Sequence, residues 1–328
     1  MTRPSRHGLP PTTLVVMTRD TGSRAVDVVG LHKSYGDKHA VDGVSLHVDA
    51  GEVVAVLGPN GAGKTTTVEI LEGYRHRDAG DVRVLGADPA TADRAWRSRV
   101  GIVLQSVNDL AEATVEELVR QFAAYYPRPR DVDELIAAVG LEDRRRTRAR
   151  QLSGGQRRRL DVALGVVGRP ELLFLDEPTT GFDPEARRAF WDLVKGLQDG
   201  GTTILLTTHY MDEAEQLADR VVVVSSGHVV AEGAPRTLGG RHAHRARVRW
   251  LRDGELQEVA TDTPTRTVAE LTARFAAEGE DEVPGLQVVR PTLEDVYLNL
   301  VGAAEAATDE NRVQRAHAHA ADRTEARR

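Results

Sequence analysis

The sequence predicts an α/β fold in which strands alternate with helices. Its 328 residues are enough for about two domains with full hydrophobic cores. The run "EVVAVL", residues 52–57, is almost continuously apolar, as in a strand that is buried on both faces of a sheet. From residue 171 to residue 233, apolar runs of strand length alternate with longer runs that have helical spacing. This alternation is typical of an α/β protein.

Residues 1–24 precede this pattern and are predicted to be disordered. They are rich in Pro, Thr and Arg and have no apolar periodicity. Met17 is a second candidate start, and the sequence leaves that choice open. Two β-branched runs follow at residues 25–36 and 40–51, and each ends in a turn residue, Gly. They predict two strands ahead of the buried one.

A phosphate-binding loop lies between the buried strand and a predicted helix. The segment "GPNGAGKT", Gly58 to Thr65, matches the pattern GxxxxGK[ST], and the residues after it have helical spacing. In such a loop, backbone N–H groups surround the phosphates and the Lys64 ammonium reaches the outer pair. The Thr65 hydroxyl can bind Mg²⁺. The motif in this context predicts a nucleotide site.

Lysine is scarce in this chain, so each retained lysine is informative. Only four of the 43 Lys and Arg residues are Lys, namely Lys33, Lys38, Lys64 and Lys195. At Lys64, a compact charge on a flexible stem suits closely packed phosphates better than a broad planar guanidinium does.

A further strand and then a helical insert follow the loop. Residues 80–86, "GDVRVLG", have the pattern of a strand. Within residues 108–150, the stretches 114–126 and 131–141 carry apolar residues at helical spacing, with no strand pattern between them. This segment is predicted to be a helical subdomain.

The segment "QLSGGQRRRLDVALG", residues 151–165, begins with a second candidate anion site. Ser153, Gly154 and Gly155 stand directly before a helical run, where their backbone N–H groups can meet an anion. One nucleotide has only one set of phosphates, and the loop at residues 58–65 already accounts for it. The residues alone leave open whose phosphate this second site binds.

Two carboxylates end the apolar strand "LLFLDEP", residues 172–178. A carboxylate at the carboxyl end of a strand beside the phosphate loop can hold Mg²⁺ through water, and Asp176 has this position. Glu177 then points beyond the last phosphate, where it could polarise an attacking water. The pair predicts hydrolysis of the bound nucleotide.

The C-terminal part, residues 239–302, has a pattern of its own. A hairpin is predicted about Asp253 and Gly254, followed by a helix that ends at a Gly. A last helix begins with Thr292 as its cap and with acidic residues in its first turn. We predict a small accessory α/β unit, followed by a disordered tail at residues 303–328.

Composition limits the setting in which this protein works. The chain has no Cys, which excludes disulfides and thiolate sites and favours a reducing, cytoplasmic environment. The net charge of −7 argues against a protein that coats nucleic acid, and no nucleic-acid partner is expected.

The basic stretches 142–150 and 157–159 are interpreted as solvated surface, with anionic lipid or nucleic acid as the alternative partner. No apolar run approaches the roughly 20 residues of a membrane span.

The motifs and their order along residues 26–235 resemble those of ATP-binding-cassette (ABC) transporter ATPases. The sequence "LSGGQ" between a phosphate loop and "LLFLDEP" is close to diagnostic of the family. The matching residues are the adenine-stacking aromatic Tyr35; the Walker A loop Gly58, Pro59, Asn60, Gly61, Ala62, Gly63, Lys64, Thr65 and Thr66; the Q-loop Gln105; the signature Leu152, Ser153, Gly154, Gly155 and Gln156; the Walker B strand Leu172 to Glu177; the D-loop Gly181 to Pro184; and the switch His209.

The resemblance implies an answer for the second anion site. In this family two subunits pair head-to-tail, so residues 153–156 would bind the ATP held by the partner's Walker A loop. A second ATPase subunit, in a homodimer, is thus an expected partner. Gln105 would contact Mg²⁺ and the attacking water, His209 would contact the γ-phosphate, and Asp183 would serve the D-loop. Phe182 departs from the Leu more usual there, which bears on the coupling between the two sites.

The resemblance implies the fold and the activity as well. It places an ABC-type P-loop domain at 25–238, with an antiparallel β subdomain and the helical subdomain 108–150. The cofactors would be ATP and Mg²⁺, with Thr65, Gln105 and Asp176 as the metal ligands. The implied function is the ATPase of a multidrug or antibiotic exporter, bound peripherally to the cytoplasmic face of the membrane through a separate transmembrane permease. The alternative is a soluble ABC ATPase without transport, such as a cofactor-assembly scaffold.

Overall fold

A computed structural model describes residues 24–103, 112–240, 246–290 and 292–303. The predicted disordered segments 1–24 and 303–328 therefore lie almost entirely outside the described residues. Gln105 and the first residues of the predicted helical subdomain lie outside them too.

Strands and helices alternate along most of the described chain. The strands are β1 (Arg24–Tyr35), β2 (Lys38–Asp49), β3 (Val53–Leu57), β4 (Ala79–Val84), β5 (Val100–Val103), β6 (Leu172–Asp176), β7 (Thr203–Thr208), β8 (Arg220–Ser225), β9 (His228–Gly233), β10 (Ala246–Arg252), β11 (Glu255–Thr261) and β12 (Gln287–Val289). The helices are α1 (Lys64–Leu71), α2 (Arg94–Arg97), α3 (Val115–Ala123), α4 (Val132–Ala138), α5 (Gly154–Val166), α6 (Pro184–Asp199), α7 (Met211–Leu217), α8 (Pro264–Ala277) and α9 (293–303).

The central sheet has six strands in the order β5-β6-β7-β3-β8-β9. All neighbours are parallel except β8 and β9, which form a hairpin. Strand β3 is buried throughout, as its continuous apolar pattern predicts. Its residues alternate between two cores, with Val53, Ala55 and Leu57 in one and Val54 and Val56 in the other.

Each face of the central sheet carries a different layer. On one face, the core includes apolar residues from α3, α4, α5 and α6. On the other, it includes residues of a three-stranded antiparallel sheet in the order β2-β1-β4. This second sheet is the predicted antiparallel β subdomain. The sequence predicted β4 as a strand, and the structure places it beside β1.

The C-terminal residues form a second small α/β unit. Strands β10 and β11 make the predicted hairpin, with Asp253 and Gly254 at positive φ in its turn. Strand β12, which the sequence did not predict, pairs with β10, and α8 covers one face of this sheet. Thr292 caps α9 as predicted, because its hydroxyl accepts the Asp295 N–H at 3.1 Å.

Helix α9 packs on the ATPase core rather than on the small sheet. Leu293 and Val301 are buried in the same core cluster as α6 and α7. The Leu293 N–H also donates to the Glu215 carboxylate of α7 at 3.3 Å. Within the described ranges, no helix is both long enough and apolar enough to cross a bilayer.

Candidate functional site

The phosphate loop between β3 and α1 depends on two close backbone approaches. A Cβ at Gly58 would lie 2.3 Å from the Val224 carbonyl oxygen. At Gly63, φ is +101° and a Cβ would lie 2.2 Å from the Ala40 carbonyl oxygen. Only glycine fits either position, so the loop is held tightly between β2 and β8. It leads into the N-terminus of α1, where backbone N–H groups attract anions.

Lys64 lies inside this loop and is almost fully buried, with 6 % of its surface exposed. Its Nζ donates to the carbonyl oxygens of Gly58 at 2.7 Å and Pro59 at 3.2 Å. Burial lowers the pKa of the ammonium, while the charges of Glu177 and Asp176 oppose that shift. The site therefore has one buried cation beside two carboxylates at the end of β6.

A cavity of about 220 Å³ opens over the loop. It brings together most of the residues predicted from the sequence to bind a nucleotide. They are Tyr35, Asn60, Gly61, Gly63, Lys64, Thr65, Thr66 and Glu177, joined by Lys38 and Ala40 of β2.

Tyr35, predicted to stack on adenine, stands at the end of β1 and is partly exposed. The Arg75 guanidinium lies 5.3 Å from its ring centroid, and the Lys33 Nζ lies 5.7 Å from it. Glu69 holds Arg75 in place through a 2.6 Å ion pair. Cations beside an aromatic ring are attracted by its quadrupole, and together they hold Tyr35 at the edge of the cavity.

The two carboxylates after β6 have distinct surroundings. The Thr207 hydroxyl of β7 donates to Asp176, which orients that carboxylate. Glu177 has a φ of +43°, and its N–H donates to both the carbonyl and the hydroxyl oxygen of Thr207. A non-glycine residue with positive φ is strained, and such strain is concentrated at functional sites.

His209 lies at the end of β7, beside Glu177. Its Nδ1 is 3.5 Å from Glu177 Oε1, and its ring centroid is 4.0 Å from that of Tyr210, with the two ring planes tilted by 40°. Tyr210 is in turn 4.7 Å from the Arg187 guanidinium of α6. The structure thus brings together the two side chains predicted to act on the attacking water and the γ-phosphate.

The residues present fit a magnesium ion held jointly with phosphate. In the described part of the chain, no three His, Cys, Asp or Glu side chains form an all-protein metal site. Mg²⁺ is commonly held by one or two carboxylates together with phosphate oxygens. Asp176 and the Thr65 hydroxyl supply the hard oxygen donors that this mode needs.

The signature residues lie at the start of α5, outside the cavity over the loop. Ser153 is the N-cap, its hydroxyl accepting the Gln156 N–H, while the Gln156 side chain accepts the Ser153 N–H. Ser153 and Gly154 are exposed, and Gly155 in the same first turn is half-buried. The N-terminus of this 13-residue helix therefore opens to the surface.

The D-loop, like the signature, supplies the N-cap of the helix that follows it. Asp183 is the N-cap of α6, and its carboxylate accepts the Ala186 N–H at 2.8 Å. Phe182, the unusual residue of this loop, packs edge-on against Phe190 at 5.9 Å between ring centroids. The larger ring is thus accommodated by the chain's own core, on the α6 side.

Known proteins are similar to this chain in sequence. The profile described as ABC transporter matches residues 41–180. The daunorubicin resistance ATP-binding protein of Streptomyces coeruleorubidus is 41 % identical over 318 residues, which cover 89 % of this chain and 98 % of that protein.

The chain belongs to the ABC transporter ATP-binding family.

Other relatives of this ABC ATPase agree. The Nod factor export ATP-binding protein I of Rhizobium meliloti is 38 % identical, covering 89 % of the chain and 93 % of that protein. A solved ATP-binding subunit of an ABC transporter has the same fold, with a TM-score of 0.63, 23 % identity, and coverage of 84 % and 99 %. The protein is an ATP-binding and ATP-hydrolysing subunit of exporter type, and the relatives named here lend no support to the alternative of an ABC ATPase without transport.

The structure of this ABC ATPase also corrects one interpretation of the sequence. Of the basic stretch 157–159, Arg158 is buried rather than solvated. Its guanidinium donates to the Asp176 carbonyl at 2.7 Å and to the Pro178 carbonyl at 3.0 Å. It thereby ties the signature helix to the loop that carries both site carboxylates. A basic triplet gives no local signal for this, because burial depends on the packing of α5 against β6.

Glu72, at the end of α1, is a second residue that the sequence analysis missed. Burial, reinforced by the charges of Asp176 and Glu69, raises the pKa of this carboxyl to about 8. It borders a cavity of about 400 Å³, lined also by Trp96, Phe122 and Tyr126. A lone Glu at a helix end is ordinarily a solvated residue, so its sequence context could not reveal it.

Proposed function

We propose that two copies of this chain bind two ATP molecules between them and hydrolyse them to drive export. The cavity over the phosphate loop carries the proposal, because it joins Lys64, Thr65 and Glu177 while the signature helix lies outside it. A signature with an exposed N-terminus can then reach a phosphate only on another copy. This arrangement requires at least a dimer with head-to-tail pairing.

In the proposed reaction, residues of one chain position the attacking water and the phosphates. The Glu177 carboxylate accepts a proton from water, and His209, 3.5 Å away, orients that carboxylate and the terminal phosphate. Lys64 and the loop N–H groups stabilise the charge that develops on the transferred phosphoryl group. Mg²⁺, held by Asp176, Thr65 and Gln105, would supply further charge neutralisation when bound.

A separate transmembrane protein is the proposed partner, which places this subunit at the cytoplasmic face of the membrane. The cavity of about 400 Å³ lies between the core and the helical subdomain. Trp96 and Val100 line it from the core, and Phe122 and Tyr126 line it from the helical subdomain. Its lining is mainly apolar, as a docking site for a partner segment requires. Closure of the dimer would move that segment, and hydrolysis would reset it.

The proposed cargo is a drug-like solute. This proposal rests on the printed name of a relative that shares 41 % identity along nearly its whole length, a daunorubicin resistance protein. The transported solute passes through the permease, so the residues of this chain do not contact it. We propose two identical ATPase subunits per transporter, since one chain carries every predicted motif once.

The experiment is a pull-down of the tagged full-length protein from detergent-solubilised native membranes, with bound proteins identified by mass spectrometry. We expect one stoichiometric integral membrane protein with several spans. Recovery of soluble partners only, with the ATPase absent from the membrane fraction, would contradict the exporter function and leave the ATPase activity intact.

A further inference from the structure

Three of the four lysines of this arginine-rich chain lie around the nucleotide cavity. Lys64 is in the phosphate loop, Lys33 lies beside the Tyr35 ring, and Lys38 lines the cavity. Lys195 is on the exposed side of α6. The known motifs account for Lys64 and leave Lys38 without a role.

The position of Lys38 is fixed by strand β2, which runs across the phosphate loop. The Ala40 carbonyl of this strand makes the close approach to Gly63. Two residues earlier, the Lys38 Nζ lies 3.9 Å from where a Cβ on Gly61 would be. Alternate residues of a strand share a face, so Lys38 and Ala40 both face the loop.

His39, the residue between them, confirms this alternation. Its Nδ1 is hydrogen-bonded to the Ser34 hydroxyl at 2.9 Å across the hairpin. Backbone pairing of Lys38 with Tyr35 closes the same hairpin. Register therefore places the lysine between the proposed adenine-stacking ring and the phosphate loop.

Among the described residues, no side chain competes with a ligand for the charge of Lys38. Lys33 forms a 2.6 Å ion pair with Asp78, and Lys64 donates to two loop carbonyls. For Lys38, no ion pair or side-chain hydrogen bond occurs within the described ranges. Its ammonium lies within reach of the phosphate loop with its donors available for a ligand.

We propose that Lys38 is a second phosphate-binding cation, which contacts the phosphate chain of ATP from the β2 side of the loop. This inference rests on the proposed nucleotide site and extends it by a residue outside the known motifs. An ammonium that reaches a phosphate oxygen from this side of the loop would form a charge-assisted hydrogen bond with it. The exposed position makes the contribution modest and sensitive to salt.

The test compares Lys38→Gln with Lys195→Gln, which removes the same charge on the exposed side of α6. ATP binding to each full-length variant is titrated calorimetrically at low and at high ionic strength. We expect Lys38→Gln to weaken ATP binding about three- to tenfold at low salt, and the difference from wild type to shrink at high salt. Lys38→Arg should retain most of the affinity, and Lys195→Gln should match wild type.

In steady-state hydrolysis, Lys38→Gln should raise KM and leave kcat nearly constant, because the Lys38 contact stabilises bound ATP and the transition state equally. Equal ATP affinity of Lys38→Gln and Lys195→Gln would overturn the inference. A loss of ATP affinity that does not depend on salt and that Lys38→Arg shares would also overturn it, since such a loss would indicate a structural role for Lys38. If wild type itself bound no ATP, the proposed nucleotide site would fail together with Lys38.

Discussion

At the scale of single residues, Glu72 makes the stability of the protein depend on pH. The folded state holds its proton up to about pH 8, whereas the unfolded state releases it near 4.5. Between these values the folded protein binds more protons, so the stability contributed by this group is lost as pH rises. The group therefore lowers the free energy of unfolding by about 1 kcal/mol per pH unit across this window.

Glu72→Gln should remove this dependence. We expect the variant to match wild type near pH 5 and to be more stable than wild type at pH 8. Chemical denaturation across this range measures the difference, with Glu255→Gln at the exposed first residue of β11 as the control. Parallel stability curves for wild type and Glu72→Gln would contradict a buried, protonated carboxyl.

Arg158 gives a second prediction for a single residue. Arg158→Met keeps much of the buried stem but leaves the Asp176 and Pro178 carbonyls without their donor. We expect a loss of about 1–3 kcal/mol in unfolding free energy and a lower kcat, because the loop with Glu177 loses its support. Arg159→Met, on the neighbouring and less buried side chain, is the control. Unchanged kcat in Arg158→Met would show that the loop is held by other contacts.

Residues in spaced motifs could be predicted from the sequence, and most of the predicted nucleotide-binding residues line one cavity. Lys64, Thr65 and Glu177 line one cavity because a parallel sheet brings its carboxyl ends to one edge. Their roles in catalysis stay predictions. Arg158 and Glu72 could not be predicted, because tertiary packing alone decides that these charged side chains are buried.

At the scale of elements, α9 attaches the C-terminal unit to the ATPase core. Leu293 is fully buried, and Leu298 on the same helix is 59 % exposed. Leu293→Ala should therefore lower the free energy of unfolding by about 2–5 kcal/mol, through lost burial and a cavity. Leu298→Ala should change it by less than about 0.5 kcal/mol.

Thermal unfolding with bound ATP shows whether α9 unfolds together with the ATPase core or separately from it. If α9 belongs to the core, Leu293→Ala lowers the main transition. If the helix melts separately and the ATP-stabilised transition stays in place, the packing of α9 contributes nothing to the ATPase.

Elements with a clear local pattern were predictable, and partners distant in sequence were not. The β10–β11 hairpin follows from Asp253-Gly254, and the α9 cap follows from Thr292. Strand β12 has only three residues and is defined by its pairing with β10, which no local pattern encodes. The pairing of β4 with β1 likewise depends on the fold and not on the run "GDVRVLG".

At the scale of the whole molecule, the central claim is that each ATP is shared by two chains. Within one chain, the cavity over the phosphate loop is lined by both the cation Lys64 and the proposed base Glu177, and the signature helix opens to the surface elsewhere. Gly154 is suited to a test, because a Cβ there meets nothing within 4 Å of its own chain. A side chain added at this position should therefore leave its own chain undisturbed and interfere only with the ATP-bound site of a second chain.

The most direct measurement is the molar mass of the Glu177→Gln variant in solution, with and without saturating ATP. Slow hydrolysis should trap the shared state, so we expect a monomer without nucleotide and a dimer with ATP. The double variant Glu177→Gln with Gly154→Asp should bind ATP with equal affinity and remain a monomer. A Glu177→Gln protein that stays monomeric at saturating ATP, or a double variant that dimerises equally well, would contradict the shared site.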